Sequence, residues 1–223
     1  MTLKGFEIIV APSLRTTSDD NVTAMASVLL GSAVQSNSPV KEHVISIGLM
    51  DALLSNVAGG GRSVEVRSKT VFALSALLRN NPEGVRAFVA EGGPVKILDS
   101  LLVDATDVST VRTRIKTLSF IAQLWNDNRD VVNPGPDYCR VFDQDSLFQN
   151  PDLGRIEVLS EVVKSFERLC DLSTKPVVGV WLRSAKNLVQ QEIDDEEDDQ
   201  DFLDYLKKIL ENLVSVVDKK TEL

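Results

Sequence analysis

A chain of 223 residues that is 43% hydrophobic and 26% charged has enough apolar surface to bury a core, which excludes disorder of the chain as a whole. Its 33 acidic and 24 basic residues leave a formal net charge of -9, which argues against a polyanionic partner such as nucleic acid or an anionic membrane surface. Apolar runs such as Ile8-Ile9-Val10-Ala11 fall far short of the roughly 20 residues that cross a bilayer, so no membrane span is expected.

Taken from the N-terminus, the pattern is helical throughout: aromatic residues are 5% of the chain, and prolines fall between apolar stretches rather than inside them. Asn21-Val22-Thr23 has the form of an N-glycosylation acceptor. Ser38-Pro39, Asn81-Pro82 and Asn150-Pro151 mark helix starts, where a polar side chain caps free amides and proline costs no hydrogen bond. His43 is the only histidine, so a zinc site or a histidine-based triad has nothing to build on. Gly59-Gly60-Gly61-Arg62-Ser63 lacks the lysine of a phosphate loop and reads as an inter-repeat turn.

A long helix is predicted from about Ser63 to Asn80, a short one from Pro82 to about Ala90, a turn at Gly92-Gly93-Pro94, and a further helix from Val95 to Val103. Here the chain repeats itself. Val34–Gly48 can be laid over Leu78–Gly92 at an offset of 44, which also aligns Asn37 with Asn81, Val44 with Phe88, Leu54 with Leu98, Leu30 with Leu74 and Val22 with Val66. A weaker third copy begins at Val111 and slides from an offset of 45 to one of 46. A period in the mid-forties with two short helices and one long helix is the length class of HEAT and armadillo units. The expected fold is therefore an all-α, armadillo/HEAT-like right-handed α-solenoid, the hand being a property of the class. The stripe Val71, Leu74, Leu78 should pack between neighbouring units.

After Asn126 the pattern breaks at Asp127–Asp130 and Asn133–Pro136. Helices are predicted again at about 152–172, 177–191 and 201–217. The expected organisation is armadillo-like repeats over 1–127 and a divergent C-terminal repeat with capping helices of the same solenoid over 128–223. Glu192–Asp201 reads as a solvated acidic loop, with Asp199 or Asp201 near the positive end of the last helix; a calcium site is the alternative, but the glycine and spacing of a calcium loop are missing. Cys139 and Cys170 are read as two buried or free thiols, with a single disulfide as the alternative in an oxidising compartment.

No carboxylate pair stands in an apolar surround that would tune it for acid catalysis, so no catalytic residue, metal or cofactor is assigned and the chain is not read as an enzyme. Repeat solenoids bind along the surface formed by the long helix of each unit. On the middle helix the stripe beside the core runs Ser68, Phe72, Ala76, Arg79, and the matching ends of the outer copies are Gln35 and Trp125. Trp125 has packing against the following helices as its alternative role, and Arg79 a bond to the last carbonyls of its own helix.

The segments Val28–Lys41, Phe72–Asn80 and Phe88–Leu98 resemble, in their order, the armadillo-type nucleotide exchange factors of the heat-shock ATPase chaperones. The last helix, Asp201–Leu213 after an acidic stretch, is more similar to the endoplasmic-reticulum branch, the exchange factor of BiP. Lys220-Thr221-Glu222-Leu223 is one substitution from a lumenal retrieval signal, and Asn21 would be the glycosylation acceptor. The signal peptide of a lumenal protein is absent from Met1–Glu7, so the chain is expected to be the core of a longer protein behind a start methionine; were that start native, the cytosolic branch would gain. The resemblance implies a monomer that binds the ATPase domain of BiP in the endoplasmic-reticulum lumen, contacts no nucleotide, and uses Gln35, Arg79, Asn80, Trp125 and Asn126 as its partner-binding residues. A peptide-holding armadillo adaptor is the rival reading. It wants a repeated Trp and Asn along the inner helices, where this chain has Gln35-Ser36, Arg79-Asn80 and Trp125-Asn126.

Overall fold

The computed structural model describes residues 4–58, 61–102, 108–149, 152–196 and 199–217, and among them there are helices and turns but no strand. Two compact units are present, Met1–Pro134 and Gly135–Leu223. The first unit includes the turn after the third long helix, where the Val131 and Val132 amides both bond the Asn128 carbonyl.

The first unit opens with a π-helical turn, Phe6–Val10, that runs into α1 (Ala11–Arg15), followed by α2 (Asp20–Val34). Two complete copies follow: α3 (Ser38–Ser46), α4 (Leu49–Ala58) and α5 (Val64–Leu78), then α6 (Pro82–Ala90), α7 (Gly93–Leu101) and α8 (Val108–Asp127). Each start has its sequence cause. Asp19 caps α2 and Ser63 caps α5, 44 residues apart, and Asn37 and Asn81 do the same for α3 and α6. Gly48 and Gly92 stand between the two short helices of each copy with φ of 67° and 71°, a left-handed conformation that costs glycine nothing.

The long helices stack side by side. Between α2 and α5 the Ser27 and Thr70 hydroxyls lie 3.1 Å apart, fully buried, and Gly31 allows the close approach: a β-carbon there would meet Phe72 Cε1 at 2.5 Å and Ala73 Cα at 3.2 Å. The stripe Val71, Leu74, Leu78 is buried, and so are the repeat partners Leu30, Val44, Phe88, Leu54 and Leu98. Val22 departs from this pattern. It is exposed while Val66 is buried, and Ile9 and Leu29 are exposed although their counterparts Leu53 and Ala73 are buried. The first copy thus leaves open a face that the second copy closes with the helices before it.

The second unit does not repeat. It comprises a 3-10 segment (Pro136–Asp143), a short one (Asp145–Leu147), α9 (Leu153–Cys170), a third 3-10 turn (Leu172–Thr174), α10 (Pro176–Asp195) and α11 (Gln200–Val217). Its core holds aromatic clusters among aliphatic side chains: Tyr138 stacks on Phe166 at 5.9 Å between ring centroids, Phe142 lies 5.5 Å from Phe166, and Phe148 lies 5.5 Å from Trp181. Cys139 and Cys170 form a disulfide, so the reading as two thiols is corrected; the fold brings their α-carbons to 5.2 Å, within bonding range, though 31 residues separate them. The acidic loop is also shorter than expected. α10 continues to Asp195, held by the Gln190 Nε2 donation to Asp194 Oδ1 at 2.8 Å, and Asp199 caps α11 by accepting from the Phe202 amide at 3.0 Å. Gly59, Gly60, the Asn150-Pro151 start and the Lys220–Leu223 signal lie outside the described residues.

Candidate functional site

The turn that ends each long helix sets the site. α2 ends at Val34 and α5 at Leu78; the next residues, Gln35 and Arg79, share one backbone geometry, φ -59° with ψ 121° and 122°. Ser36 and Asn80 then both adopt φ 53°, before Asn37 and Asn81 cap the following helices. An asparagine tolerates this left-handed step better than most residues, so Asn80 already has a local reason to be there. The identical backbone makes Gln35 and Arg79 project from equivalent points of adjacent copies.

In the third copy the hydrogen bonds define the register. The Asn37, Asn81 and Asn128 amides donate to the carbonyls of Val34, Leu78 and Trp125 respectively, and the Asn81 and Asn128 side chains donate to Leu77 and Leu124. Asn126 therefore corresponds to Gln35 and Arg79, while Trp125 corresponds to the buried Val34 and Leu78 and is itself half-buried. The expected alignment of Trp125 with Arg79 is out by one residue. The cause is the 20-residue α8, against 15 residues in α2 and α5, which moves the true offset to 47. Asn126 is exposed and accepts from Arg129 Nη2 at 3.2 Å.

Gln35, Arg79 and Asn80 come together along one open groove of about 620 Å³. Its one wall is the turn Gln35–Ser38 with Lys41 of α3, and its other is the last turns of α5, with Phe72, Ser75 and Ala76 beside Arg79 and Asn80. The Phe72 ring, 38% exposed, supplies the apolar part. Trp125 and Asn126 do not line it. Arg79 also faces a smaller cleft on its other side, lined by Phe120, Gln123, Leu124 and Asp127.

Lys41 is not among the residues that the repeat pattern singles out. It is 7% exposed, and its ammonium donates to the Arg79 carbonyl, the exposed end of α5. Burial, and then the nearby Arg79 charge, holds its pKa below the usual lysine value. The sequence carried a signal for it: 44 residues on stands Val85, a core residue, so a lysine occupies a position that the repeat reserves for an apolar side chain. Arg79 makes no bond to its own helix through its side chain; its guanidinium has no hydrogen-bond or ion-pair partner among the described residues, and it is its carbonyl that is bonded.

An all-α repeat protein with a groove between successive long helices is the class that fold and site define. The chain belongs to the family described as the SIL1/FES1/HPBP1 C-terminal domain, which matches residues 1–150. It is similar to the Hsp70 nucleotide exchange factor fes-1 of Neurospora crassa, with 30% identity over 104 residues, 45% of this chain and 42% of that protein. The chain thus matches less than half of that relative's length. Among solved structures, an engineered protein from a structural genomics consortium shares the fold with a TM-score of 0.58 at 15% identity, covering 92% of this chain and 97% of the other. A designed armadillo repeat protein is similar at a TM-score of 0.43 and 13% identity, covering 92% of this chain and 98% of that one.

Proposed function

We propose that this chain is a nucleotide exchange factor that binds the ATPase domain of an Hsp70-type chaperone and promotes ADP release, and that its partner is BiP in the endoplasmic-reticulum lumen. The observation that carries the reading is the groove of the first unit, where the repeat presents Gln35 and Arg79 from one backbone geometry, in a chain of this family. The mechanism needs no bond-making. A factor that grips the ATPase lobe more tightly when its cleft is open than when it is closed around ADP shifts the population toward open, and ADP leaves. By reciprocity ATP weakens the factor's own grip and releases it. A tenfold preference amounts to about 1.4 kcal/mol, which a few differential contacts supply.

Two features bear on the lumenal assignment. The Cys139–Cys170 disulfide suits an oxidising compartment. Asn21 is exposed in the first turn of α2, but the Thr23 hydroxyl of its acceptor triplet is buried, donating to the Asp19 carbonyl at 3.0 Å, so glycan addition would have to precede folding.

The test is release of a fluorescent ADP from the purified ATPase domain of BiP and, in parallel, from a cytosolic Hsp70, each chased with excess ATP. Many-fold acceleration with BiP is the expected result; acceleration with the cytosolic chaperone alone would move the chain to that branch, and none with either would overturn the exchange activity. Arg79→Glu should leave the helical signal unchanged and abolish the acceleration.

A further inference from the structure

Two cations stand together in this groove with no counter-ion among the described residues. The Lys41 ammonium, in a side chain more than nine-tenths buried, rests on the carbonyl of Arg79, whose guanidinium is unpartnered among the described residues. Among the described residues no carboxylate lines the groove, although the chain has 33 acidic residues and a net charge of -9. Another large groove of the first unit, at the turn between α1 and α2, is lined by Asp20 and Asp51 as well as by its arginines. The carboxylate nearest in the lining of the adjoining cleft, Asp127, forms no ion pair with Arg79.

Placing a desolvated lysine beside a like charge costs the fold, and the depressed Lys41 pKa expresses that cost. An anion entering the groove would relieve it, because a charge-assisted hydrogen bond is strongest where water is already excluded. The exposed Phe72 ring beside the pair adds an apolar contact next to the anion.

We infer that the groove is a seat for a carboxylate on the partner's surface, an aspartate or glutamate side chain that accepts from both Lys41 and Arg79, with a neighbouring apolar side chain lying on Phe72. This rests on the proposed binding to a chaperone ATPase domain and names the chemistry of the contact. Lys41 has a double role: it receives the anion and it fixes the end of α5 from which Arg79 projects.

The experiment measures affinity of the full chain for the ATPase domain that binds it best, at low and at moderate salt, for wild type, Arg79→Gln, Lys41→Met and the double variant, with circular dichroism for each. Each single variant should weaken binding at least tenfold, the double variant by less than the product of the two, and both singles should flatten the salt dependence. Should Lys41→Met fail to fold, Arg79→Gln and its salt dependence decide alone. Wild-type binding with both variants within threefold and an unchanged salt dependence would overturn the carboxylate seat and leave the exchange reading intact. Failure of the wild type to bind any chaperone ATPase domain would overturn both.

Discussion

The two units of this chain reach stability by different means. The first is assembled by repetition: the same caps and the same left-handed glycine recur at 44 residues, and its buried side chains are mostly leucine and valine. The second has no such register. It packs Tyr138, Phe142 and Phe166 into one cluster, closes the 3-10 segment onto α9 by a disulfide, and links α9 to α11 through Lys164 Nζ to Asn212 Oδ1 at 2.8 Å and Asn212 Nδ2 to Glu161 Oε1 at 2.6 Å. A repeated unit shares its stability among equivalent nearest-neighbour contacts, whereas the second unit adds clustered rings and a staple to its aliphatic core.

The contrast is sharpest at Phe166. It is fully buried and touches both other rings of the cluster, so Phe166→Ala should destabilise the second unit by about 3–5 kcal/mol. Hydrogen exchange should lose protection first in α9; protection retained there would mean that the aromatic cluster does not carry this unit. Reducing the disulfide comes next, at about 2–4 kcal/mol, because it frees a loop closed across 31 residues of chain. Denaturant unfolding with and without reductant measures it, and an unchanged midpoint would deny the staple its part.

Within the first unit the matching break is Gly31→Ala. Its new methyl would press into the Phe72 ring and toward the Ala73 backbone, forcing α2 and α5 apart at a cost of about 1–3 kcal/mol, read as a lower melting temperature. Since Phe72 lines the groove, partner binding should fall with it. The smallest effect concerns pH. Asp20 accepts from the Ser63 amide at 2.7 Å and pairs with Arg62 at 3.1 Å, and chiefly the Ser63 bond holds its carboxyl below the ordinary value. A lowered folded pKa means stability that is complete above about pH 4 and lost as pH falls through the folded value. Asp20→Asn should therefore lose stability at neutral pH and show a weaker acid dependence between wild type and variant; parallel acid profiles would count against the contact.

Helix existence, and for the first unit helix register, could be read from the chain because capping and periodicity are local. The α6 bounds Pro82–Ala90 agree with expectation, and the other long segments differ only at their ends. The third copy departs from the offset of 46 because α8 is five residues longer than its counterparts, and a longer helix can slide in register without changing its local pattern. Gln35, Arg79 and Asn80 do share one groove, whereas Trp125 has the register of core residues.

What the sequence determined by itself was the period, the all-helical class and the turn chemistry, since each depends on residues within a few positions or on a comparison of the chain with itself. The tertiary structure decided the rest: the meeting of Cys139 with Cys170, the burial of Lys41 on the end of α5, and the three-ring core of the second unit. These join residues 24 to 38 positions apart, and such pairs obey no spacing rule; only the packing of whole helices brings them within reach.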